Sequence, residues 1–303
     1  MNAHAARRSR RGLFHSARQV SGQRILVTGA ARGIGAALAR QLHARGARVA
    51  LLGIEEGLLA EVAADCGEAP WRYCDVGDPA QVQRVVNSLT MELGGLDAVV
   101  VNAGIARQLP LLDGDPTVLE ETLTVNVLGA YYTIRAAGPH IAHPGGYVLM
   151  VSSLAAAIHL PLAGAYSASK AALEALGDTL RIELRHTGAK VGMAYFAELD
   201  TEMTSRGFGT DAARSILGRS TVSGIAPLGP AIDAMERALA RRSRRVFSPY
   251  WVGVVLSFRG VGQRVVDYAL RHGVAPGLAV ATTEPVAFTT EQPARPPRMR
   301  KLA

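Results

Sequence analysis

The sequence predicts an α/β protein, with a doubly wound parallel sheet in a single domain and a helical extension at the C-terminus. Between residues 25 and 247, short apolar runs typical of buried strands alternate with segments of helix length. Such an order requires crossovers between parallel strands, with helices on both faces of the sheet. A glycine-rich turn directly follows the first apolar run, and 303 residues at 49% hydrophobic content can bury one large core. A second domain is therefore not required.

Seven apolar runs are the predicted strands. A parallel strand is buried on both faces and is expected to be apolar throughout, as Leu96–Val101 nearly is. Gly188 stands where a helix would end before the next strand, and Pro79 stands at the start of a helix that runs toward Leu93. The predicted strands are Ile25–Thr28, Ala47–Leu52, Trp71–Cys74, Ala98–Val101, Tyr147–Ser152, Val191–Phe196 and Arg245–Phe247.

The turn after the first strand is predicted to bind a dinucleotide. Gly29, Gly33 and Gly35 stand between a strand and a helix, so the backbone can approach a pyrophosphate closely. The N-terminus of the following helix offers N–H groups and a positive dipole to the same anion. A tight turn without a ligand is the alternative, and the position directly after Ile25–Val27 favours the nucleotide site.

Tyr166 and Lys170 form the predicted reactive pair. Residues four apart share one face of a helix, so the Lys170 ammonium is expected near the Tyr166 hydroxyl. A nearby cation would lower the pKa of the phenol from its usual value of about 10 toward the working range. Ser153 lies thirteen residues before the tyrosine, and Ser152 is its nearest competitor. A chance Tyr-x-x-x-Lys on an exposed helix is the alternative, and the glycine turn upstream favours the catalytic interpretation.

These motifs follow one another in a recognisable order. The glycine turn, Asp75-Val76, Asn102-Ala103-Gly104, Asn126, Ser153 and the Tyr166/Lys170 pair occur in sequence. The chain thereby resembles the classical short-chain dehydrogenase/reductase family over residues 22–248. The resemblance implies a Rossmann-like fold and an NAD(P)-dependent oxidoreductase that interconverts an alcohol and a ketone or aldehyde.

The resemblance also assigns expected roles to individual residues. Tyr166 would be the general acid/base and Ser153 would hydrogen-bond the substrate oxygen, while Lys170 would also hold the nicotinamide ribose. Asn126 would anchor a water that connects Lys170 to solvent. Cofactor contacts are expected from Gly29, Arg32, Gly33, Ile34, Gly35, Gly53, Asp75, Val76, Asn102, Ala103, Gly104, Tyr166, Lys170 and Thr201.

The end of the second strand bears on the choice between NADP and NAD. A carboxylate there would accept from the ribose 2′-hydroxyl of NAD, whereas a 2′-phosphate needs a cation. The position is Gly53, and Arg32 lies in the glycine turn, so the sequence favours NADP. NAD is the alternative, because Glu55 and Glu56 are near.

The substrate is predicted to be a small apolar alcohol or carbonyl compound. Residues 154–162 are mostly apolar and would border the pocket, with Phe196 and the region Trp251–Phe258 extending its wall. Residues 245–251 are similar to those of family members that act on steroid- or retinoid-like lipids. The amphipathic segment Pro249–Gly273 is expected to pack near the substrate entrance, or to lie on a membrane surface as a peripheral contact. Residues 274–303 are expected to be a disordered tail.

The net charge of +8 is concentrated at the N-terminus. Residues 1–24 contain six arginines and no acid, so residues 1–21 are predicted to be a basic flexible arm. The rest is nearly neutral, and no specific nucleic acid partner is expected. No apolar run approaches the roughly 20 residues of a membrane span, and Cys66 and Cys74 lack metal-ligand spacing. A cytoplasmic homo-oligomer with reduced thiols is expected.

A non-catalytic protein is the alternative function. A nucleotide-sensing or scaffold protein could use the same fold and bind membrane or nucleic acid through its basic termini, since a fold does not guarantee catalysis. The complete set of Asn126, Ser153, Tyr166 and Lys170 favours the enzyme.

Overall fold

The computed structural model describes residues 19–208, 210–218 and 223–295, without the side chains of residues 206 and 207. The predicted basic arm therefore lies outside the described residues, apart from its last three positions. The strands are β1 (Arg24–Thr28), β2 (Arg48–Gly53), β3 (Trp71–Tyr73), β4 (Ala98–Val101), β5 (Tyr147–Val151), β6 (Lys190–Phe196) and β7 (Arg245–Ser248). Within the described chain they form one seven-stranded parallel sheet in the order β3-β2-β1-β4-β5-β6-β7. The predicted fold class is confirmed.

Helices connect the strands and cover both faces of the sheet. A π-helical turn spans Thr124–Leu128, and short 3₁₀ turns occupy Leu154–Ala156 and Leu184–Thr187. The α-helices are α1 (Gly33–Ala44), α2 (Glu56–Asp65), α3 (Pro79–Leu93), α4 (Pro116–Leu123), α5 (Gly129–Ile141), α6 (Gly164–Glu183), α7 (Glu202–Gly207), α8 (Asp211–Leu217), α9 (Leu228–Arg241), α10 (Trp251–Ser257), α11 (Arg259–Leu270) and α12 (Val274–Ala281).

Helix α3 shows how local sequence sets the ends of an element. The side chain of Asp78 accepts hydrogen bonds from the N–H groups of Ala80 and Gln81, and Pro79 occupies the first turn, where its missing donor costs least. At the other end, Gly94 takes the left-handed conformation with φ 75°. The helix therefore has a defined start and stop between β3 and β4.

The core consists of two apolar layers, one on each face of the sheet. Successive β1 residues point to opposite faces, with Ile25 and Val27 in one layer and Leu26 in the other. Helices α1, α2 and α9 cover the first layer, and α3, α5 and α6 cover the second. Because β1 pairs with both β2 and β4, the crossovers diverge there, and a crevice opens at the carboxyl ends of the two central strands.

The C-terminal segment differs from the disorder that the sequence predicts from residue 274 onward. Residues 274–281 form α12, which packs on α8 through an apolar cluster that includes Ile216 and Ala281. The following residues return to the sheet, where Thr289 is 3% exposed. Individual tertiary contacts order this segment, and these leave no periodic pattern in the sequence. Residues 296–303 lie outside the described part of the chain.

Helices α10 and α11 follow β7. Val252 and Leu256 of α10 are buried in the second core layer, whereas α11 has no buried residue. Arg259, at the start of α11, is exposed and forms an ion pair with Glu174 of α6. None of the helices in the described residues combines the length and apolarity needed to cross a bilayer.

Candidate functional site

Two adjoining cavities lie at the carboxyl edge of the sheet. One surrounds the glycine turn after β1, and the other surrounds Tyr166 at the start of α6. The two cavities share five lining residues, so they form one continuous crevice. The shared residues are Ile34, Asn102, Gly104, Thr201 and Met203.

The glycine turn is compact and holds its backbone toward the first cavity. Gly29 and Gly33 have φ values of 62° and 54°, a region that favours glycine. A Cβ on Gly29 would lie 2.8 Å from Ala103 Cα, and one on Gly35 would overlap the carbonyl oxygen of Gly29. Asn102 Nδ2 donates to that same carbonyl at 3.1 Å, which fixes the turn to the end of β4. The residues present therefore fit a bound pyrophosphate, because the glycine backbone of the turn and the N-terminus of α1 line the cavity.

Most of the predicted cofactor residues line this first cavity together. Gly35 packs against the Gly29 carbonyl oxygen and is not among the residues that line this cavity. Tyr166 and Lys170 line the second cavity. The predicted residues on the first cavity are Gly29, Arg32, Gly33, Ile34, Gly53, Asp75, Val76, Asn102, Ala103, Gly104 and Thr201.

Arg32 is engaged by two carboxylates. Its Nε donates to Glu55 Oε2 at 2.7 Å, and its Nη1 donates to Glu202 Oε2 at 2.7 Å. The sequence argument for NADP treats Arg32 as a free cation, and these pairs offset its charge. Gly53 does lack a carboxylate, and a Cβ there would meet only ordinary contacts, the nearest at 3.6 Å from Leu59 Cδ1.

Asp75 binds a residue that the sequence interpretation missed. Arg295 donates to both carboxylate oxygens of Asp75 at 2.7 Å, through Nε and Nη2. Thr289, Thr290 and Gln292 of the same segment line the first cavity. An arginine in a proline-rich tail gives no sequence signal for such a contact, because 220 residues separate it from Asp75.

Tyr166, Ser153 and Lys170 converge in the second cavity. Tyr166 and Lys170 are 8% and 4% exposed, and they lie one turn apart on α6. Lys170 Nζ lies 5.5 Å from the centroid of the Tyr166 ring and donates to the carbonyl oxygen of Val151 at 3.0 Å. Ser153 follows β5 and caps the next 3₁₀ turn. In contrast, Ser152 donates its hydroxyl to the carbonyl oxygen of Lys170 at 3.1 Å.

Burial dominates the electrostatics of this pair. Burial raises the pKa of Tyr166 to about 12, and a hydrogen bond with Ser153 opposes part of that rise. Burial also lowers the pKa of Lys170 to about 8. The pKa of the phenol is therefore raised, whereas the sequence argument expected Lys170 to lower it, because the desolvation of the tyrosinate outweighs the hydrogen bond with Ser153. Near neutral pH Tyr166 therefore keeps its proton and can donate it.

Asn126 lies in the π-helical turn between α4 and α5. Its side chain accepts from Ile105 N at 2.8 Å and donates to Ile105 O at 3.0 Å and to Ser169 Oγ at 2.9 Å. A Cβ on Gly104 would lie 3.2 Å from Asn126 Oδ1 and 3.5 Å from Lys170 Nζ, so the two polar groups flank this glycine. The amide thus fixes the loop after β4 beside the lysine.

The second cavity has a mostly apolar wall. Residues 154–162 contribute Leu154, Ile158 and Leu160, and β6 contributes Phe196. The helices α7 and α8 close the other side, where the sequence shows only weak periodicity. Phe208 meets the Tyr166 ring edge-on at a centroid distance of 5.4 Å.

The segment after β7 supports this wall indirectly. In the described part of the chain, no residue of Trp251–Phe258 lines the cavity, which differs from the expected apolar extension. Instead, α11 holds the wall from behind. Gln263 exchanges two hydrogen bonds with the backbone of His159, and a Cβ on Gly262 would overlap Ile158.

Fold and site together define a dinucleotide-binding protein of the Rossmann type. The family model described as short chain dehydrogenase matches residues 23–211. The chain belongs to the short-chain dehydrogenase/reductase family, as the sequence motifs predict.

Individual relatives and solved structures agree with this membership. An uncharacterized oxidoreductase of Mycobacterium tuberculosis is 30% identical over 77% of this chain and 90% of its own length. The 11-beta-hydroxysteroid dehydrogenase 1A of Arabidopsis thaliana is 29% identical over 82% of this chain and 75% of its own length. The fold is similar to that of a Burkholderia phymatum family member in complex with NAD (TM-score 0.71, 22% identity, 84% of this chain and 96% of that chain). A Burkholderia cenocepacia short chain dehydrogenase in complex with NADP has a TM-score of 0.66 at 30% identity, over 73% of this chain and 91% of that chain.

Proposed function

We propose that this oxidoreductase interconverts an apolar alcohol and the corresponding ketone or aldehyde, with Tyr166 as general acid/base. One observation carries the proposal. Tyr166, Ser153 and Lys170 meet in an apolar cavity that is continuous with the cavity of the glycine turn. A substrate carbonyl in the second cavity can therefore lie close to the proton donor and also to a nicotinamide that extends from the first cavity.

The residues of the chain supply what carbonyl reduction needs besides the hydride. NAD(P) supplies or accepts the hydride when it is bound along the glycine turn. Ser153 donates a hydrogen bond to the substrate oxygen as negative charge grows there, and Tyr166 donates its proton to the same oxygen. Lys170 holds its charge beside the phenol, which limits the cost of the tyrosinate that forms. Asn126 fixes the loop beside Lys170 and anchors the proposed water relay.

The lining of the cavity supports a lipid-, steroid- or retinoid-like substrate. A pocket lined mainly by apolar side chains, with few convergent polar groups, favours an apolar ligand that carries one oxygen. The relatives differ in the substrates that their names give: one is a hydroxysteroid dehydrogenase, and another is the D-threitol dehydrogenase of Mycolicibacterium smegmatis, at 33% identity over 57% of this chain. The apolar side chains of Leu154, Ile158 and Phe208 favour a steroid-like substrate over a polyol.

The preference for NADP over NAD stays a prediction. The missing carboxylate at Gly53 supports NADP, while the pairing of Arg32 with Glu55 and Glu202 favours NAD by offsetting the cation. The relative affinity for NADPH and NADH measures which of the two dominates.

The predicted partners and location also belong to this proposal. A homo-oligomer, a peripheral membrane contact and a cytoplasmic location remain predictions. An exposed apolar stripe along α10 and α11 supports a surface contact, and it is the observation that keeps the non-catalytic scaffold as the second candidate. The stripe comprises Tyr250, Val254, Phe258, Val261, Val265 and Tyr268.

The substitution Tyr166→Phe tests the proposed chemistry. We expect oxidation of NADPH or NADH against a panel of apolar ketones and aldehydes to be lost, while the cofactor dissociation constant stays nearly unchanged, because only the hydroxyl is removed. The matched control is Tyr131→Phe, at a 40% exposed tyrosine on α5. Equal kcat in Tyr166→Phe and the unmodified protein would reject the role of Tyr166, and no turnover by the unmodified protein on any tested carbonyl would favour the scaffold.

A further inference from the structure

The residues Phe288–Arg295, here called the C-terminal strap, run along the outer side of the cofactor cavity. At one end, Phe288 packs on the second core layer. Thr289 is 3% exposed and makes two hydrogen bonds to Ala106, one from its N–H to the carbonyl oxygen and one to its Oγ1 from the N–H, both at 3.1 Å. Ala106 follows the Asn102-Ala103-Gly104 turn, so this end of the strap is fixed to the loop after β4.

Arg295 fixes the other end. Its guanidinium forms a two-pronged pair with Asp75 and also bonds Glu121 of α4. The Arg295 and Asp75 side chains are 16% and 10% exposed, so this pair is largely withdrawn from water. A Cβ on Gly77 would lie 2.7 Å from Arg295 Nε, which shows how closely the guanidinium packs on the loop after β3.

Thr290 and Gln292 lie between these two anchors and line the cofactor cavity. Gln292 Oε1 accepts from Arg295 Nη2 at 3.1 Å, and Gln292 Nε2 donates to the carbonyl oxygen of Thr290 at 3.0 Å. Arg295 thus positions both the strap and the Asp75 carboxylate. The cavity stays open on its inner side with the strap in this place, because Asp75, Val76 and Ile54 still line it.

We propose that the C-terminal strap forms the outer wall of the subsite for the adenine nucleotide half of NAD(P), and that Arg295 is its positioning residue. The two oxygens of a carboxylate together offer about four acceptor sites. In Asp75, Arg295 occupies two of these sites and the N–H of Gly77 occupies one. One acceptor site remains for a donor such as the exocyclic amine of adenine. A two-point clamp holds that carboxylate more firmly than a single lysine contact would. The inference rests on the NAD(P) cofactor of the family and is independent of the substrate.

Calorimetric titration with ADP tests the strap on the full-length protein without any carbonyl substrate. ADP carries the adenine half of the cofactor alone. We expect Arg295→Ala to weaken ADP binding about tenfold. The affinity of Arg295→Lys should lie between those of Arg295→Ala and the unmodified protein, since lysine restores the charge but not the paired N–H donors of the guanidinium. If Arg295→Ala proves unstable by circular dichroism, Gln292→Ala tests the wall itself and should weaken ADP binding severalfold.

The control for a lost positive charge is Arg271→Ala, which removes an exposed arginine that stacks on Tyr268 outside the cavity. Its ADP affinity should equal that of the unmodified protein. Unchanged ADP affinity in Arg295→Ala and Gln292→Ala would overturn the proposal, and so would full rescue by Arg295→Lys, which would reduce the effect to charge alone. Tighter ADP binding by Arg295→Ala would overturn it in the opposite sense, with Arg295 competing against adenine for Asp75. A failure of the unmodified protein to bind ADP would refute the cofactor site itself, whatever Tyr166 does.

Discussion

Replacing the buried lysine by methionine should stabilise the protein while it removes activity. Lys170 is 4% exposed, and its ammonium donates a hydrogen bond to the Val151 carbonyl oxygen at 3.0 Å. Burial lowers the pKa of Lys170 from 10.5 to about 8, which means that the protonated form is less stable in the folded protein than in the unfolded chain. Methionine has a similar length and carries no charge, so Lys170→Met relieves this cost.

The size of the effect follows from the same pKa difference. At pH 7 the lysine is protonated in both states, and the cost of its buried charge is about 3 kcal/mol at about 1.4 kcal/mol per pKa unit. The lost hydrogen bond to Val151 offsets about 1 kcal/mol. We therefore expect Lys170→Met to raise the free energy of unfolding by about 2 kcal/mol at pH 7. Above about pH 8 Lys170 loses its proton in the folded protein, so the cost of its buried charge decreases as the pH rises. The stability advantage of Lys170→Met should therefore fall to about zero near pH 9.5.

Urea denaturation of the protein at pH 7 and pH 9.5, without cofactor, measures this difference. The matched control is Lys190→Met, at an exposed lysine at the start of β6, where no burial cost exists to relieve. Its effect on unfolding should be small and equal at both pH values. Destabilisation by Lys170→Met at pH 7, or an advantage that does not change with pH, would refute the reasoning.

Three further substitutions probe the remaining parts of the site. Ser153→Ala should lower kcat/KM by an amount equivalent to about 2–4 kcal/mol, measured in steady-state kinetics, and an unchanged kcat/KM would move the role to Ser152. Gly35→Ala should lower the free energy of unfolding by about 1–3 kcal/mol and weaken NADH binding, because its Cβ would overlap the Gly29 carbonyl oxygen. Unchanged NADH affinity in a fluorescence titration would contradict the assignment of the glycine turn as the pyrophosphate site. Gly53→Asp should shift the ratio of kcat/KM toward NAD, because a carboxylate repels a 2′-phosphate, and a shift toward NADP would show that this position does not face the ribose.

The fold could be predicted from the sequence because its signals are local. Alternating apolar runs give the strand order along the chain, and parallel strands of this kind leave little choice of topology. The glycines of the turn also indicate where the backbone packs closely, since a side chain at Gly29 or Gly35 would clash with neighbouring backbone atoms. The same holds for Tyr166 and Lys170, which share a helix face through their spacing alone.

The contacts that the sequence did not show depend on distant pairs. Arg295 meets Asp75 across 220 residues, and Arg32 meets Glu202 across 170. Nothing near either arginine in the chain identifies its partner. The pKa of Tyr166 was misjudged for a related reason, because burial depends on everything packed around the ring, including Phe208. Helix α12 was missed because it is apolar on most sides and is ordered by its packing on α8.

The C-terminal segment contacts the walls of both cavities. Glu284 accepts hydrogen bonds from the N–H groups of Asp211 and Ala212 at 2.8 and 2.9 Å, at the start of the helix that closes the apolar cavity. The C-terminal strap begins four residues later and borders the cofactor cavity. A ligand that orders one end of this short segment leaves less freedom to be lost at the other. We expect the two ligands to bind with positive cooperativity, and thermodynamic linkage requires that each raise the affinity of the other by the same factor.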